Sequence, residues 1–540
     1  MEKIKEIVLA KIPDALIEEK QYLTITVKPE NLRLLAKSVK AEGFDFLNHL
    51  SGIDNVDSTL GVVYMLSKSV DMNSCLVIKT ATEDRVNPVL PTVSDLWGTA
   101  LLNEREVFGF YGIKFIDHPD MRHLFLTERW KGFPFRKDYD ASPGINELDL
   151  KSYDMPDYSS SWVIGNKGIE ERRYLLFEED DYVINIGPQH PATHGVLHFR
   201  TAIEGEIIRK IDVNCGYIHR GIEKLSEDLM YPQILHFTDR LDYLSSHINR
   251  HALCMCIEKA AGIEVPQRAE YIRTIMDELT RVASHLLSWA CMCMDMGALT
   301  AFIYGMRDRE KILDIFEATC GGRLITNYNV IGGVMADLHP DFQKLVKDFI
   351  ILMRKNLKEY HQLYTGNIIA RQRMIGVGKL SKETAISYAV TGPVGRASGL
   401  SCDLRKISPY AAYDKVKFNE IVRTEGDSMA RYMNRLDEIV ESLNIIEQLI
   451  DVIPEGDYCA KTKAIIKLPE GEYYQKIEAA RGEFGVYIVS KGEKTPYRLK
   501  FRSPSMALVS IMNNVCKGGK IADLVTIGGS MDYVIPDIDR

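Results

Sequence analysis

The sequence predicts an α+β chain in which a helical bundle is framed by β-sheet at both ends, behind a smaller α/β unit. Three stretches carry that prediction. YLTITVKP and LGVVYMLSK near the start alternate apolar and polar residues with a period of two. From about residue 223 to 320 the apolar residues recur at helical spacing, in several segments of bundle length. FGVYIVSKG and YRLKFRSP then return the end of the chain to strand text.

In chain order, residues 1 to about 117 form the small unit. To the two strands it adds a third at DMNSCLVIKTAT and a helix at NLRLLAKSVKAEG, closed by Gly43. TVSDLWGTALLNEREVFGFYGIKF adds a capped helix that runs into a turn. FIDHPDMRHLFLTERWKGFPFRKDY has little periodicity, so an extended arm that docks on another surface is expected there. Residues 141–176, with SPG, DMPDYSSS and GNKG, read as a polar linker. From 177 onward a hairpin at YVINIG and VLHFRTAIEGEIIRKIDV precedes the helical block. Helices resume at FQKLVKDFIILMRKNLKEYHQLY and MARYMNRLDEIVESLNIIEQLI.

Hydrophobic residues at 46% and charged residues at 26% are ordinary for a globular chain and argue against fibrous or disordered classes. A net charge of -8 and a pI near 6.0 offer no basic surface for phosphate, so no nucleic acid is expected as partner. Charges interrupt MEKIKEIVLAKIPDALIEEK every few residues, which predicts no signal peptide and a cytoplasmic chain. The ten cysteines suit a reducing compartment. Neither Cys254-Met-Cys256 nor Cys291-Met-Cys293 fits a metal knuckle, because on a helix the two sulfurs diverge.

One stretch, LLSWACMCMDMGALTAFIYGM at 286–306, is long enough to span a membrane. The charge-rich QRAEYIRTIMDELTRVASH ahead of it, and Gly297 and Thr300 within it, favour a buried bundle helix instead. Its single charge, Asp295, then needs a partner or an upward pKa shift.

Two further constellations carry chemistry. GPQHPATHGVLH sets His190, His194 and His198 four residues apart. Pro188, Pro191 and Gly195 forbid the helix on which three imidazoles would stack, which leaves a rigid loop between strands. A histidine on such a loop is either a proton donor poised near neutral pH or a structural group bonded to backbone. In FTDRLDYLSSHINRH a helical reading puts Asp239, Tyr243 and His247 on one face. A tyrosine there more often packs than reacts.

INIGPQHPATHGVL, GYIHRGIEKL, DRLDYLSSHINRHAL, ELTRVASHLL, MDMGALTAFIYGMRDRE and YNVIGGV together resemble the D subunit of respiratory complex I, which holds the quinone site. That family is related to the large subunits of nickel–iron hydrogenases. NEREVFGFYGIKFIDHPDMRHLFLTERWKGFPFRKDY resembles the arm of the accessory C subunit. The resemblance implies a fused chain: a C-like unit at 1–140, a linker at 141–176, and a D-like unit with the hydrogenase-like fold at 177–540.

The activity it implies is that of a proton-translocating NADH:quinone oxidoreductase, active in the assembled complex. His194 and Tyr243 match the pair that hydrogen-bonds the quinone headgroup carbonyls, Asp295 matches the acid that pairs with that histidine, and Val534 matches a quinone-site position. Arg220 matches an arginine near the terminal iron–sulfur cluster of a neighbouring subunit. The substrate implied is a ubiquinone or menaquinone, with no iron–sulfur cluster, nickel or flavin on this chain. The partners implied are the cluster-bearing B subunit, the ferredoxin-like I subunit, and the membrane subunits A and H. The place implied is peripheral, on the cytoplasmic side of the inner membrane, with no transmembrane helix.

The departures from the family pattern are specific. Hydrogenases hold their metals with two C-x-x-C pairs. Here the first reads Cys215-Gly-Tyr-Ile218, and the second has Val534 and Asp537 at the sulfur positions, which removes the nickel site. Ile325 stands where the family has a histidine, and Asp532-Tyr533-Val534 replaces Asp-Pro-Val. Two other readings stay open. One is the same quinone site in a complex fed by ferredoxin or another donor; the other is a scaffold in which His194 and Tyr243 only pack.

Overall fold

The computed structural model describes residues 1–55, 57–140, 156–165 and 168–540. Its N-terminal sheet has five strands in the spatial order Leu16–Glu19, Leu23–Thr26, Asp71–Thr82, Leu60–Lys68, Phe46–Asp54. Leu23–Thr26 runs parallel to Asp71–Thr82, and the other neighbours are antiparallel. The helix Leu32–Ala41 adds Leu32, Leu35, Ala36 and Val39 to the same core, one stripe at helical spacing. The helix Ala100–Tyr111 stops at Gly112, whose φ of 77° sets up the closing bond from its N–H to the Phe108 carbonyl.

Residues 117–140 hold no helix or strand and lie along the larger unit. Arg122 forks onto Asp212 at 2.7 and 3.2 Å, Phe125 stacks on His219 at 5.4 Å, and Lys137 reaches Glu227 at 2.9 Å. The segment expected to be a linker is partly sheet. Tyr158–Gly165 and Gly168–Leu175 form an antiparallel pair that extends Val89–Pro91 and Lys114–Ile116 into a four-stranded sheet. The serine run in YSSSWVIG masks any apolar alternation, and an existing sheet edge supplies the hydrogen bonds that propensity does not. Residues 141–155 of the expected linker lie outside the described residues.

The architecture of the whole is α+β. The helices Tyr231–Thr238, Ser246–Ala261, Gln267–Asp295, Leu299–Cys320, Phe342–Tyr360 and Ser428–Leu449 share one core with the antiparallel sheet Gly471–Ala479, Gly482–Ser490, Arg498–Arg502. A second core joins the N-terminal unit to the sheet Tyr182–Ile186, His198–Glu204, Ile207–Asn214 and to the helices after Pro504.

The apolar stretch 286–306 is not one helix. Gln267–Asp295 ends at Asp295, a turn passes through Gly297 at φ 89°, and Leu299–Cys320 folds back on the first helix. Gly305 makes that return close, since a Cβ there would lie 2.9 Å from the Ala290 Cβ. Among the described residues no helix is long and apolar enough to cross a membrane. Asp295 therefore sits at the end of a helix rather than within one.

Candidate functional site

His194 stands on the loop that its prolines and glycine predict. Gln189–His190 pairs with Gly195–Val196, and Pro191–Thr193 makes a single 3-10 turn between them. The buried Thr193 hydroxyl lies 2.8 Å from both the His190 and Gly195 carbonyls and fastens the turn. His194 takes φ +52°, a left-handed conformation that costs a non-glycine residue about 1–2 kcal/mol. Gly195 has no room for a side chain, because a Cβ would come 2.7 Å from Ile535 Cγ1.

The loop holds the imidazole with its Nε2 2.8 Å from Asp295 Oδ2, the two side chains 30% and 9% exposed. As hydrogen-bonding partner and as opposite charge, the carboxylate holds the His194 pKa above its ordinary value of 6.5 against the opposing effect of burial. Asp295 ends a helix, where the carbonyl dipoles already present negative potential, so it needs a cation. His194 supplies it, which meets the demand that the lone acid made in the sequence.

Tyr243 is not on a helix. Tyr231–Thr238 has already ended, and the Asp242 carboxylate accepts the Leu244 N–H at 3.2 Å in a turn that leads to the next helix at Ser246. Asp239, Tyr243 and His247 consequently share no face. Asp239 pairs with Arg250 at 2.8 Å, and burial lifts its pKa to about 6. His247 is buried beside Phe316 and 3.0 Å from the Thr326 hydroxyl; burial pushes its pKa down to about 3.

Tyr243 follows Asp242, which Arg481 links to Asp532. Burial raises the pKa of the Tyr243 hydroxyl, Arg481 opposes, and Asp242, Cys291 and Asp532 add to the rise. Asp532 also acts on His194, and Asp295 acts on Cys291. Buried Arg481 ties the two sides together: it donates to Asp242 at 2.9 Å, to Asp532 Oδ1 at 2.9 Å and to the Ser284 hydroxyl at 3.0 Å. Asp532 caps the helix Asp523–Met531 at φ +60°, just before buried Tyr533 and Val534. The Val534 N–H donates to Ser505 Oγ at 3.2 Å.

Arg220 is exposed on the turn ahead of the helix Ile222–Leu225. The positions matched to the hydrogenase cysteines serve other bonds. Cys215 is buried, and Gly216 and Ile218 donate their N–H groups to Asp539 at 2.8 and 3.0 Å. Asp537 accepts from Ser503 Oγ at 2.6 Å. No cluster of three or more His, Cys, Asp or Glu able to hold a metal occurs among the described residues.

Sequence reasoning missed Arg481, Asp242 and Gly529. The local signal for Arg481 was one arginine in EAARGEFGVY, a charge between two strand segments followed by a glycine. That glycine is required, since a Cβ at Gly482 would lie 2.4 Å from Thr391 Oγ1.

Comparison with known proteins first places the class. Residues 25–144 match the family described as respiratory-chain NADH dehydrogenase, 30 Kd subunit, and residues 295–468 and 460–540 match the family described as respiratory-chain NADH dehydrogenase, 49 Kd subunit. The chain is similar over nearly its whole length to the NADH-quinone oxidoreductase C/D subunit of Phocaeicola vulgatus, at 59% identity over 507 residues, covering 94% of this chain and 97% of the relative. The C/D subunit of Bacteroides fragilis is 58% identical, covering 92% of this chain and 95% of the relative. The D subunit of Geobacillus kaustophilus is 46% identical over 366 residues, covering 68% of this chain and all of the relative. The chain belongs to the family of C/D subunits of NADH-quinone oxidoreductase, and so is part of a complex I oxidoreductase in electron transport.

Proposed function

We propose that this chain forms the headgroup site for the quinone and protonates the quinone as it is reduced. The observation that carries the reading is the His194–Asp295 pair, 2.8 Å apart on a loop and a helix end. The division into a C-like unit at 1–140, a connecting segment at 141–176 and a D-like unit at 177–540 is part of the same reading.

Reduction of a quinone to its quinol takes two electrons and two protons. A terminal iron–sulfur cluster held by the neighbouring B subunit, close to Arg220, would supply the electrons one at a time. Asp295 engages Nε2 of His194, so the Nδ1–H of the imidazolium is the donor to one carbonyl oxygen. The Tyr243 hydroxyl donates to the other. Once His194 has given up its proton, Asp295 is left at the negative end of its helix without a counter-charge, an imbalance of a few kcal/mol. That imbalance drives a charge shift toward the membrane arm until the proton is replaced.

The same reading includes a ubiquinone or menaquinone as substrate, Val534 in the pocket wall, and subunits I, A and H as partners besides the cluster-bearing one. It places the chain peripherally on the cytoplasmic side of the inner membrane. Tyr243→Phe in the assembled complex tests it. Quinone turnover is expected to drop at least about tenfold with the complex fully assembled; turnover at the wild-type rate rejects the reading.

A further inference from the structure

Arg431, on the helix Ser428–Leu449, is fully buried, and among the described residues its side chain bonds to neutral oxygens. One Nη donates to Ser530 Oγ at 2.9 Å; the other donates to the Gly426 carbonyl at 2.9 Å and to the Gly378 carbonyl. Asp427, the carboxylate whose charge reaches it, is taken up by the Gly376 and Ala430 N–H groups at 2.7 and 2.8 Å, while nearby Arg435 adds a like charge. Taking a guanidinium from water without a counter-charge is costly, but its rigid fork fixes the directions of the groups it holds.

What Arg431 holds is the last turn of the helix Asp523–Met531. The Ser530 hydroxyl donates its proton to the Ile527 carbonyl at 2.8 Å, which leaves the oxygen to accept from Arg431. Next to it the Met531 carbonyl accepts from Arg435 at 3.2 Å, and the Asp532 carbonyl accepts from Arg481 at 2.6 Å. The last carbonyls of a helix have no partner within it and favour cations. Gly378 adds a second hold, since a Cβ there would lie 2.7 Å from Ile527 Cγ1 on the same helix.

Both members of the His194–Asp295 pair rest against this helix end. Gly529, the neighbour of Ser530, faces Asp295, whose Oδ2 a Cβ at Gly529 would meet at 3.1 Å. Beyond Asp532, Ile535 closes on the His194 loop, its Cγ1 2.7 Å from where a Cβ of Gly195 would lie. Contacts this close leave no void to absorb a shift of the helix.

We propose that Arg431 is a positioning residue of the headgroup site: through Ser530 it fixes the helix end that sets the spacing of Asp295 and His194. This rests on the quinone reading above. A loosened helix end lengthens the pair, and His194 then loses its proton at lower pH. The other charge that His194 feels is Asp532, held by Arg481 at 2.9 Å and Arg435 at 3.7 Å. Cys291, Cys293, Tyr364 and Tyr533, which feel the Asp295 charge, have their pKa raised by burial and stay neutral.

The test uses assembled complexes carrying Ser530→Ala, Arg431→Lys, Arg431→Met, Asp295→Asn, Tyr243→Phe or Asp295→Asn with Ser530→Ala. The pH profile of kcat is measured with a short-chain quinone, alongside turnover with a soluble one-electron acceptor that bypasses the quinone, and the complement of subunits is quantified. Ser530→Ala is expected to move the alkaline limb down by about half a pH unit, with bypass turnover and assembly unchanged. Arg431→Met should move it further and Arg431→Lys less; Ser530→Ala decides the matter if the methionine variant fails to assemble. In the double variant the limb should stay where Asp295→Asn alone puts it. A limb unmoved in the Ser530 and Arg431 variants but moved in Asp295→Asn overturns this inference alone, whether or not assembly suffers. A full extra shift in the double variant also overturns it, because Ser530 then acts independently of Asp295. Unchanged quinone kinetics in every variant, Tyr243→Phe included, overturns both the inference and the quinone reading.

Discussion

Gly529 leaves the Asp295 carboxylate its place: a Cβ built on Gly529 would lie 3.1 Å from Asp295 Oδ2, on the helix Asp523–Met531 that faces the end of Gln267–Asp295. The same oxygen holds His194. Gly529→Ala is thus expected to push the carboxylate by a few tenths of an ångström and lengthen the ion pair. Quinone turnover of the assembled complex should fall about two- to fivefold, with thermal stability little changed. Wild-type turnover would mean that the pair tolerates displacement.

The protonation of His194 follows from Asp295, and the sign can be worked out. A histidine whose pKa is raised by folding stays charged, and lends stability, in full below its ordinary value of 6.5; both are lost as pH rises through the raised value. Asp295→Asn removes the main cause of that rise. The alkaline limb of the pH profile of quinone kcat should move to lower pH in the variant. A limb that stays in place would show that Asp295 does not set the charge of His194.

Arg481 neutralises Asp242 and Asp532 at once in a buried setting. Removing one member of such a cluster leaves uncompensated charge, at a typical cost of about 3–5 kcal/mol. Arg481→Met is expected to destabilise the chain by that order in chemical denaturation. Adding Asp532→Asn should restore part of the loss, and additive losses in the double variant would argue against coupling.

Much of this site was legible from sequence, and the failures have identifiable causes. His194 was placed on a rigid loop because Pro188, Pro191 and Gly195 restrict the backbone locally, and local restriction is what a sequence displays. Asp295 was known to need a partner because burial of a lone acid is a local fact. Its position at a helix end was hidden, since the turn at Met296–Ala298 interrupts an apolar run with Gly297 as its only mark. The helical reading of Asp239, Tyr243 and His247 failed because the Asp242 side chain competes for backbone N–H groups and turns the chain there. Arg481 was out of reach for a different reason: its partners Asp242 and Asp532 lie 239 and 51 residues away.

The N-terminal unit carries a buried acid with its own pH signature. Glu104 is fully buried, accepts the Thr92 hydroxyl at 2.5 Å and the Val93 N–H at 2.9 Å, and burial raises its pKa to about 8. Between 4.5 and about 8 the folded chain keeps a proton that the unfolded chain releases, so stability falls as pH rises through that window. Glu104→Gln should raise the Tm by a few degrees above pH 8 and change it little near pH 5. An equal shift at both pH values would point to packing rather than charge.

The central claim is that His194 and Tyr243 hold the two oxygens of one quinone ring. Its most direct test is the structure of the assembled complex with a quinone bound. One carbonyl oxygen is expected within about 2.7–3.2 Å of His194 Nδ1 and the other at that distance from the Tyr243 hydroxyl. A headgroup bound away from both residues would contradict it.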